Sequence, residues 1–166
     1  LLKTGADLWF YDPSTKASVR ISPQQRLMGQ AANGDVVTVN LARDYHVTQA
    51  VEESITDGER KQRSAVKLLL APAVEQATYA VIELWVDRET AAPIRARFFA
   101  ESGRLLKTAF FRRFQRQMGA DRPTETVIID GLSPQAVTIL RLSDFQPRNL
   151  PVAWFQRDFL SRFQGE

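Results

Sequence analysis

The sequence predicts a mainly β protein, an α+β chain built on a curved antiparallel sheet with short helices. Three observations predict it. Apolar and polar residues alternate through most of the chain, turn signals separate the alternating runs, and only one internal stretch and the tail break the pattern.

Asp7 to Tyr11 alternates, with Leu8 and Phe10 on one face and Trp9 and Tyr11 on the other. Asp12-Pro13-Ser14 is a turn, because proline presets φ and the short polar side chains bond nearby backbone. Ala17 to Ile21 sets Val19 and Ile21 opposite Ser18 and Arg20. The two runs read as a hairpin. Residues 22–44 then break the alternation. Ser22-Pro23 predicts a helix start, with serine as cap and proline at the first helical position, and Gln24 to Gln30 supplies about two turns. Asn33-Gly34-Asp35 is a second start or turn, leading into Val36 to Leu41. Two short helices are predicted in this stretch.

Strand character resumes at His46. In 46–56, Val47, Val51 and Ile55 are expected on one face. Asp57-Gly58 marks a hairpin turn. Ser64 to Leu70 aligns Val66, Leu68 and Leu70, and Pro72 ends it. Tyr79 to Asp87 sets Ala80, Ile82, Leu84 and Val86 against Tyr79, Glu83 and Trp85. Ile94 to Phe99 sets Ile94, Ala96 and Phe98 against Arg95 and Arg97. Ser102-Gly103 turns the chain into Arg104 to Arg113, and Thr124 to Asp130 and Ala136 to Leu142 are two further strands. Spacings of roughly 10 to 15 residues fit an antiparallel meander. In the tail, Phe155, Phe159 and Phe163 recur every four residues, which predicts a short terminal helix or extended segment packed on the sheet.

Most strands thus carry one apolar face, the mark of a sheet buried on one side. The apolar set comprises Leu8, Phe10, Val19, Ile21, Val51, Val66, Leu68, Leu70, Ile82, Leu84, Ile94, Phe98, Leu106, Phe110, Val127, Ile129 and Leu140. Little helix is available to cover it. The face is either an ordinary filled core or the wall of a pocket. A pocket would suit an apolar ligand, since burial yields ~25 cal/mol per Å².

The chain has 166 residues, the length of one domain, 1–166, with room for a core that needs no metal or disulfide. It has no cysteine, which excludes thiol catalysis and thiolate metal sites. The net charge of +3 is a small surplus, without the dense basic stripe usual in nucleic-acid binders. No apolar run approaches the ~20 residues of a membrane-spanning helix. No signal-peptide pattern opens the chain. Leu1 leads almost directly into a strand, so an N-terminal piece of the natural protein is expected upstream.

Catalytic signals are sparse. His46 is the single histidine and reads as a strand-edge residue rather than a general base. Glu52 and Glu53 are adjacent in a strand, so they point to opposite faces. No nucleophile elbow or phosphate-binding glycine loop is present. Lys107 to Arg116 interleaves Lys107, Arg112, Arg113 and Arg116 with Phe110, Phe111 and Phe114. That pattern fits a solvated strand face, anionic headgroups or an acidic partner, or stacked single-stranded nucleic acid.

Several segments together resemble the LolA-like outer-membrane lipoprotein-sorting proteins of Gram-negative bacteria. They are Leu8-Trp9-Phe10-Tyr11-Asp12-Pro13-Ser14 with Arg20-Ile21-Ser22-Pro23, and Gly29 to Asp35 leading to Asn40 and Asp44-Tyr45. Tyr79 to Val86, Pro93-Ile94-Arg95 and Phe98-Phe99 follow, then Ser102 to Lys107, Arg122 to Glu125 and Ile129-Asp130. Leu150-Pro151, Trp154-Phe155 and Phe159-Leu160 complete the set. Order and spacing carry the likeness, which runs over nearly the whole chain. It implies an unclosed half-barrel sheet with short lid helices, in about 22–44, over an apolar cavity. It implies a periplasmic carrier or acceptor of lipoprotein acyl chains or another lipid, with no enzyme activity, metal or cofactor. A sensor or accessory module of a lipid-export system would share the fold. The implied cavity wall is Leu8, Phe10, Val19, Ile21, Leu68, Leu70, Ile82, Leu84, Ile94, Phe98, Phe110 and Ile129, and the implied lid residues are Leu27, Met28, Val36 and Leu41. Arg95, Arg97, Arg112 and Arg113 are the expected contacts for headgroups or a partner. The expected partners are a lipid donor and receiver, such as an inner-membrane exporter and an outer-membrane receptor. The chain is expected to act as a monomer, without nucleic acid.

Overall fold

A computed structural model describes residues 1–4, 7–22, 26–28, 31–32 and 39–162. Three antiparallel sheets organise them. The first has the order β1-β2-β3, from Leu2–Thr4, Asp7–Asp12 and Ala17–Ile21. Its β2–β3 hairpin is the predicted one, and Asp12 shapes the turn by accepting from the Ser14 N–H at 2.9 Å. The second pairs β4 (Arg26–Met28) with β5 (Ala31–Ala32). The third is a seven-stranded meander, β6 (Tyr45–Thr56), β7 (Gln62–Pro72), β8 (Val81–Asp87), β9 (Pro93–Phe99), β10 (Leu105–Gln117), β11 (Ala120–Asp130) and β12 (Val137–Arg141). Each strand pairs with its neighbours in sequence, and the end strands β6 and β12 do not pair with each other. The open antiparallel sheet is therefore the predicted one.

Residues 22–44 depart from expectation. Arg26–Met28 is a strand, not the predicted helix over 24–30. A helix of about two turns is marginal in water, whereas pairing with Ala31–Ala32 satisfies backbone groups at once. The one helix seen among the described residues here is α1, Leu41–Asp44, and its cap is Asn40 rather than Asn33. The Asn40 side chain accepts from the Arg43 N–H at 3.2 Å, and Asp44 accepts from the Asn40 N–H at 3.0 Å. Two of the helix-start donors are thereby satisfied. The tail forms two short 3-10 helices, Val152–Phe155 and Arg157–Arg162, beside the first sheet, with Leu160 buried and Arg157 over the Trp9 ring at 3.9 Å. Phe163 lies outside the described residues.

Turn chemistry sets the large sheet. Met118 and Gly119 both have positive φ, 52° and 81°, the pattern of a tight type I′ hairpin. They extend β10 and β11 well beyond the predicted Thr124 boundary. At the β6–β7 tip, Asp57 accepts from the N–H groups of Glu59 and Lys61, and Arg60 rather than Gly58 takes the left-handed conformation. Gly58 is needed for a different reason: a Cβ there would lie 3.0 Å from Phe110 Cβ, so the tip closes onto β10.

Register fixes two faces, because residues directly opposite in a ladder share one. The inner face carries Leu68, Leu70, Ile82, Leu84, Ala96, Phe98, Lys107, Ala109, Phe111, Thr126, Ile128 and Leu140. Its core holds buried Leu70, Ile82, Leu84, Ala96, Phe98, Ala109 and Ile128, topped by Ala31, Tyr45 and Tyr79. The Tyr45 hydroxyl accepts from the Tyr79 N–H at 2.8 Å and donates to the Tyr79 carbonyl at 3.2 Å. Burial raises the Tyr45 phenol above its ordinary value, so this group stays a neutral strut.

Candidate functional site

An apolar cavity of about 200 Å³ opens between the inner face and the approach to α1. Its walls are Phe98 from β9, Lys107, Ala109 and Phe111 from β10, Thr126 and Ile128 from β11, and Leu140 from β12. Val39 and Leu41 close it from the other side. The local cause is a change in what covers the sheet. Toward β7 and β8 the bulky Tyr45 and Tyr79 join the buried cluster, whereas over β10 to β12, among the described residues, Val39 and Leu41 reach across small Ala109 and Thr126.

Lys107 marks the boundary. It is buried, its Nζ lies 4.9 Å from the Tyr79 ring and 5.4 Å from the Phe98 ring, and its ladder partner is buried Asp130. A cation against ring faces is held by their quadrupoles. Lys107 also lines a wider polar depression of about 670 Å³ with Glu75, Glu101, Arg104 and Asp130. One side chain therefore belongs to both an apolar cavity and a polar one.

The expected site residues divide. Phe98 and Leu41 line the cavity. Leu70, Ile82 and Leu84 lie on the same face but are packed into the filled core, with Leu68 against it. Leu8 is buried and Ile21 pairs with it, but both belong to the first sheet, where Phe10 and Val19 are 41% and 48% exposed rather than enclosed. Ile94, beyond a bulge in the β8–β9 ladder, packs with Ile55, Ala65 and Trp85 in a second cluster. Phe110 and Ile129 occupy the outer face, as does Val127, because the register opposes Phe110 to Val127 and Thr108 to Ile129. Val47 and Val51 do not share a face either: a bulge after Val47 pairs Val47 with Leu70 and Val51 with Lys67. Leu27 and Met28 fall on β4, whose side chains lie outside the described residues, and Val36 is outside them altogether.

The residues missed are Val39, Lys107, Ala109, Phe111, Thr126, Ile128 and Leu140, the last of which was expected on the apolar face but not in the cavity wall. Ala109-Phe110-Phe111 and Val127-Ile128-Ile129 are apolar at every position, so alternation cannot choose their inward parity. The ladder pairs Lys107 with Asp130, Ala109 with Ile128 and Phe111 with Thr126, and that decides it.

Of the four expected contact arginines, Arg95, Arg97 and Arg112 are on the outer face, Arg113 follows in a left-handed conformation, and each is engaged within the chain. Arg95 lies 3.9 Å above the Trp85 ring, with its buried Nε lacking a hydrogen-bond partner, and burial, followed by the nearby Arg97, lowers its pKa. Trp85 Nε1 donates to Glu53. Arg97 donates to Glu83 at 2.9 Å. Arg112 and Arg113 meet Glu125, which is 1% exposed, and Arg141 donates to the same carboxylate at 2.8 Å. The Arg141 hydrogen bond, aided by Arg112 and opposed by burial, holds Glu125 below its ordinary value of 4.5. Glu52 and Glu53 point to opposite faces, Glu52 meeting Arg88 at 3.2 Å. His46 is exposed on β6. Among the described residues no three His, Cys, Asp or Glu side chains gather as a metal site, and no helix is long and apolar enough to cross a membrane.

A family model described as "Uncharacterized protein" matches residues 1–162. No protein of curated function matches the sequence. Among solved structures, a LolA superfamily protein from Nitrosomonas europaea is 37% identical, with a TM-score of 0.82 over 95% of this chain and 69% of that one. A putative outer membrane lipoprotein-sorting protein domain from Vibrio parahaemolyticus is 21% identical, with a TM-score of 0.73 over 94% of this chain and 66% of that one. A DUF1329 family protein from Desulfovibrio piger is 24% identical, with a TM-score of 0.73 over 93% of this chain and 64% of that one. This chain thus spans about two thirds of each, and the latter two share its fold. By sequence identity, coverage and an open antiparallel sheet, the chain belongs to the LolA superfamily.

Proposed function

We propose that the protein is a binding protein rather than an enzyme, which takes an acyl chain of a lipid or lipoprotein into the cavity beneath Val39 and Leu41 and passes it on within the periplasm. The observation that supports this reading is the cavity itself: an apolar space bounded by Phe98, Phe111, Ile128 and Leu140, on an open sheet of a LolA superfamily chain. At about 200 Å³ it is smaller than the ~300–1,000 Å³ usual for ligand pockets. A long acyl chain would therefore enter by displacing Val39 and Leu41. That motion is cheap, because α1 has four residues and is too short to be stable by itself. The tail would gain ~25 cal/mol for each Å² withdrawn from water. Lys107 and the adjoining polar depression would receive the head of an amphiphile. Handing the ligand on requires a receiver that binds it more tightly.

Native mass spectrometry of the chain purified from a lipid-containing lysate, together with uptake of a fluorescent fatty acid, tests the proposal. Bound lipid or saturable uptake is expected. Absence of both would refute it.

A further inference from the structure

The corner formed by β10, β11 and β12 has a composition unlike the rest of the molecule. Residues 105–141 contain six basic and three acidic side chains, so this corner carries a surplus equal to the whole chain's net charge of +3. The remainder of the chain is balanced. Within the corner, Arg112, Arg113 and Arg141 converge on the single carboxylate of Glu125. Arg112 and Arg141 each reach it through Nε, as does Arg113 at 3.5 Å. A guanidinium presents five donors, more than one carboxylate shared by three arginines can accept from. Arg113 reaches the carboxylate from a left-handed backbone conformation, φ 56°, which a residue with a Cβ adopts at a cost. A depression of about 530 Å³ lies between Arg113 and Arg141, edged by Gln115, Gln117 and Thr124, with Asp144 at its rim.

Next to the arginines on the same face of β12 stand Val137 and Ile139, 50% and 45% exposed. β12 is an end strand, so this apolar step lies at the sheet's edge. Exposed apolar surface beside clustered arginine is the pairing that a bilayer of anionic lipid satisfies: phosphates meet guanidinium forks, and small aliphatic groups enter the boundary of headgroup and acyl chain.

We propose that this corner docks the protein on an anionic lipid surface, with Arg141 and Arg113 on lipid phosphates and Val137 and Ile139 inserted beside them. Leu140, on the opposite face of the same strand, lines the apolar cavity, so docking through β12 brings the cavity rim to the lipid. The docking itself does not depend on acyl binding.

Co-sedimentation of the 166-residue chain with vesicles tests it. Binding is expected to vesicles of phosphatidylcholine mixed with phosphatidylglycerol, not to phosphatidylcholine alone, and to weaken as salt rises. Arg141→Gln is expected to weaken it about fivefold, from the usual worth of one arginine at such a surface. Arg116→Gln, at an exposed residue that does not hold Glu125, is expected to weaken it by less, and the Val137→Asn, Ile139→Asn pair to weaken it as well. Arg88→Gln, in the turn after β8 and paired with Glu52 of the opposite end strand β6, should change nothing. The cavity variant Thr126→Trp should still bind vesicles even where fatty-acid uptake is lost, so the two proposals fail separately. No binding to the anionic vesicles, equal binding to both compositions, or equal loss in Arg88→Gln would overturn the docking. So would a dimer in sedimentation velocity that Ile139→Asn splits, since the face would then belong to a second copy.

Discussion

The two ends of the sheet's inner face are built from the same kind of strand yet end in different states. Over β7 and β8, Leu70, Ile82 and Leu84 are sealed by Tyr45 and Tyr79 into a filled core. Over β10 to β12, the equivalent positions hold Ala109, Thr126 and Leu140, and Val39 and Leu41 leave a cavity above them. Among the described residues, the difference lies in side-chain volume and in what lies over the face. A one-sided apolar strand states that something must cover it, but not whether the cover fits closely.

Substitutions should separate the two ends, beginning with the filled one. Ile82→Ala removes a fully buried side chain and should cost about 2–5 kcal/mol in denaturant unfolding, whereas Leu140→Ala at the cavity rim should cost about 1 kcal/mol or less. Equal costs would mean that the cavity end is packed as tightly as the core. Tyr45→Phe should cost about 1–3 kcal/mol, because the buried hydrogen bond from the Tyr79 N–H to the hydroxyl is lost. Asn40→Ala deletes the cap of α1 and should cost about 1 kcal/mol, mostly as a looser α1, read as faster amide exchange at residues 41–44.

The outer corner adds a pH dependence of definite sign. Glu125 has its folded pKa below the unfolded value, so its stabilising contribution is complete above the unfolded pKa and is lost as pH falls through the folded one. Thermal melts should show the wild type losing stability in acid over that range, with the Glu125→Gln variant less stable at neutral pH and flatter in acid. A variant that kept the wild-type acid slope would place the titrating group elsewhere.

How much of this was legible follows from the same contrast. The hairpin at 7–21, the turns at Asp57-Gly58 and Ser102-Gly103, and the strands from His46 onward were readable, because period-2 patterning and turn residues are local signals. The helix predicted over 24–30 was misread. Ser22-Pro23 is a good helix start, yet the short segment behind it pairs as a strand, and Asn40 caps the helix that does form. The site was half legible. Phe98 and Leu41 were found because each has one polar flank or stands in a distinct segment. Ala109, Phe111 and Ile128 were missed because their neighbours are equally apolar, so only the ladder assigns their face. Val47 and Ile94 were misplaced by bulges, which shift parity without leaving a mark in the pattern.

The central claim is that the open end of the inner face holds an apolar chain. Titration of a fluorescent fatty acid against the wild type and against Thr126→Trp, which fills the cavity from a half-buried wall position, tests it most directly. The account predicts saturable binding by the wild type and at least tenfold weaker binding by the variant, with both equally folded by circular dichroism. Undiminished binding by a well-folded Thr126→Trp would contradict it.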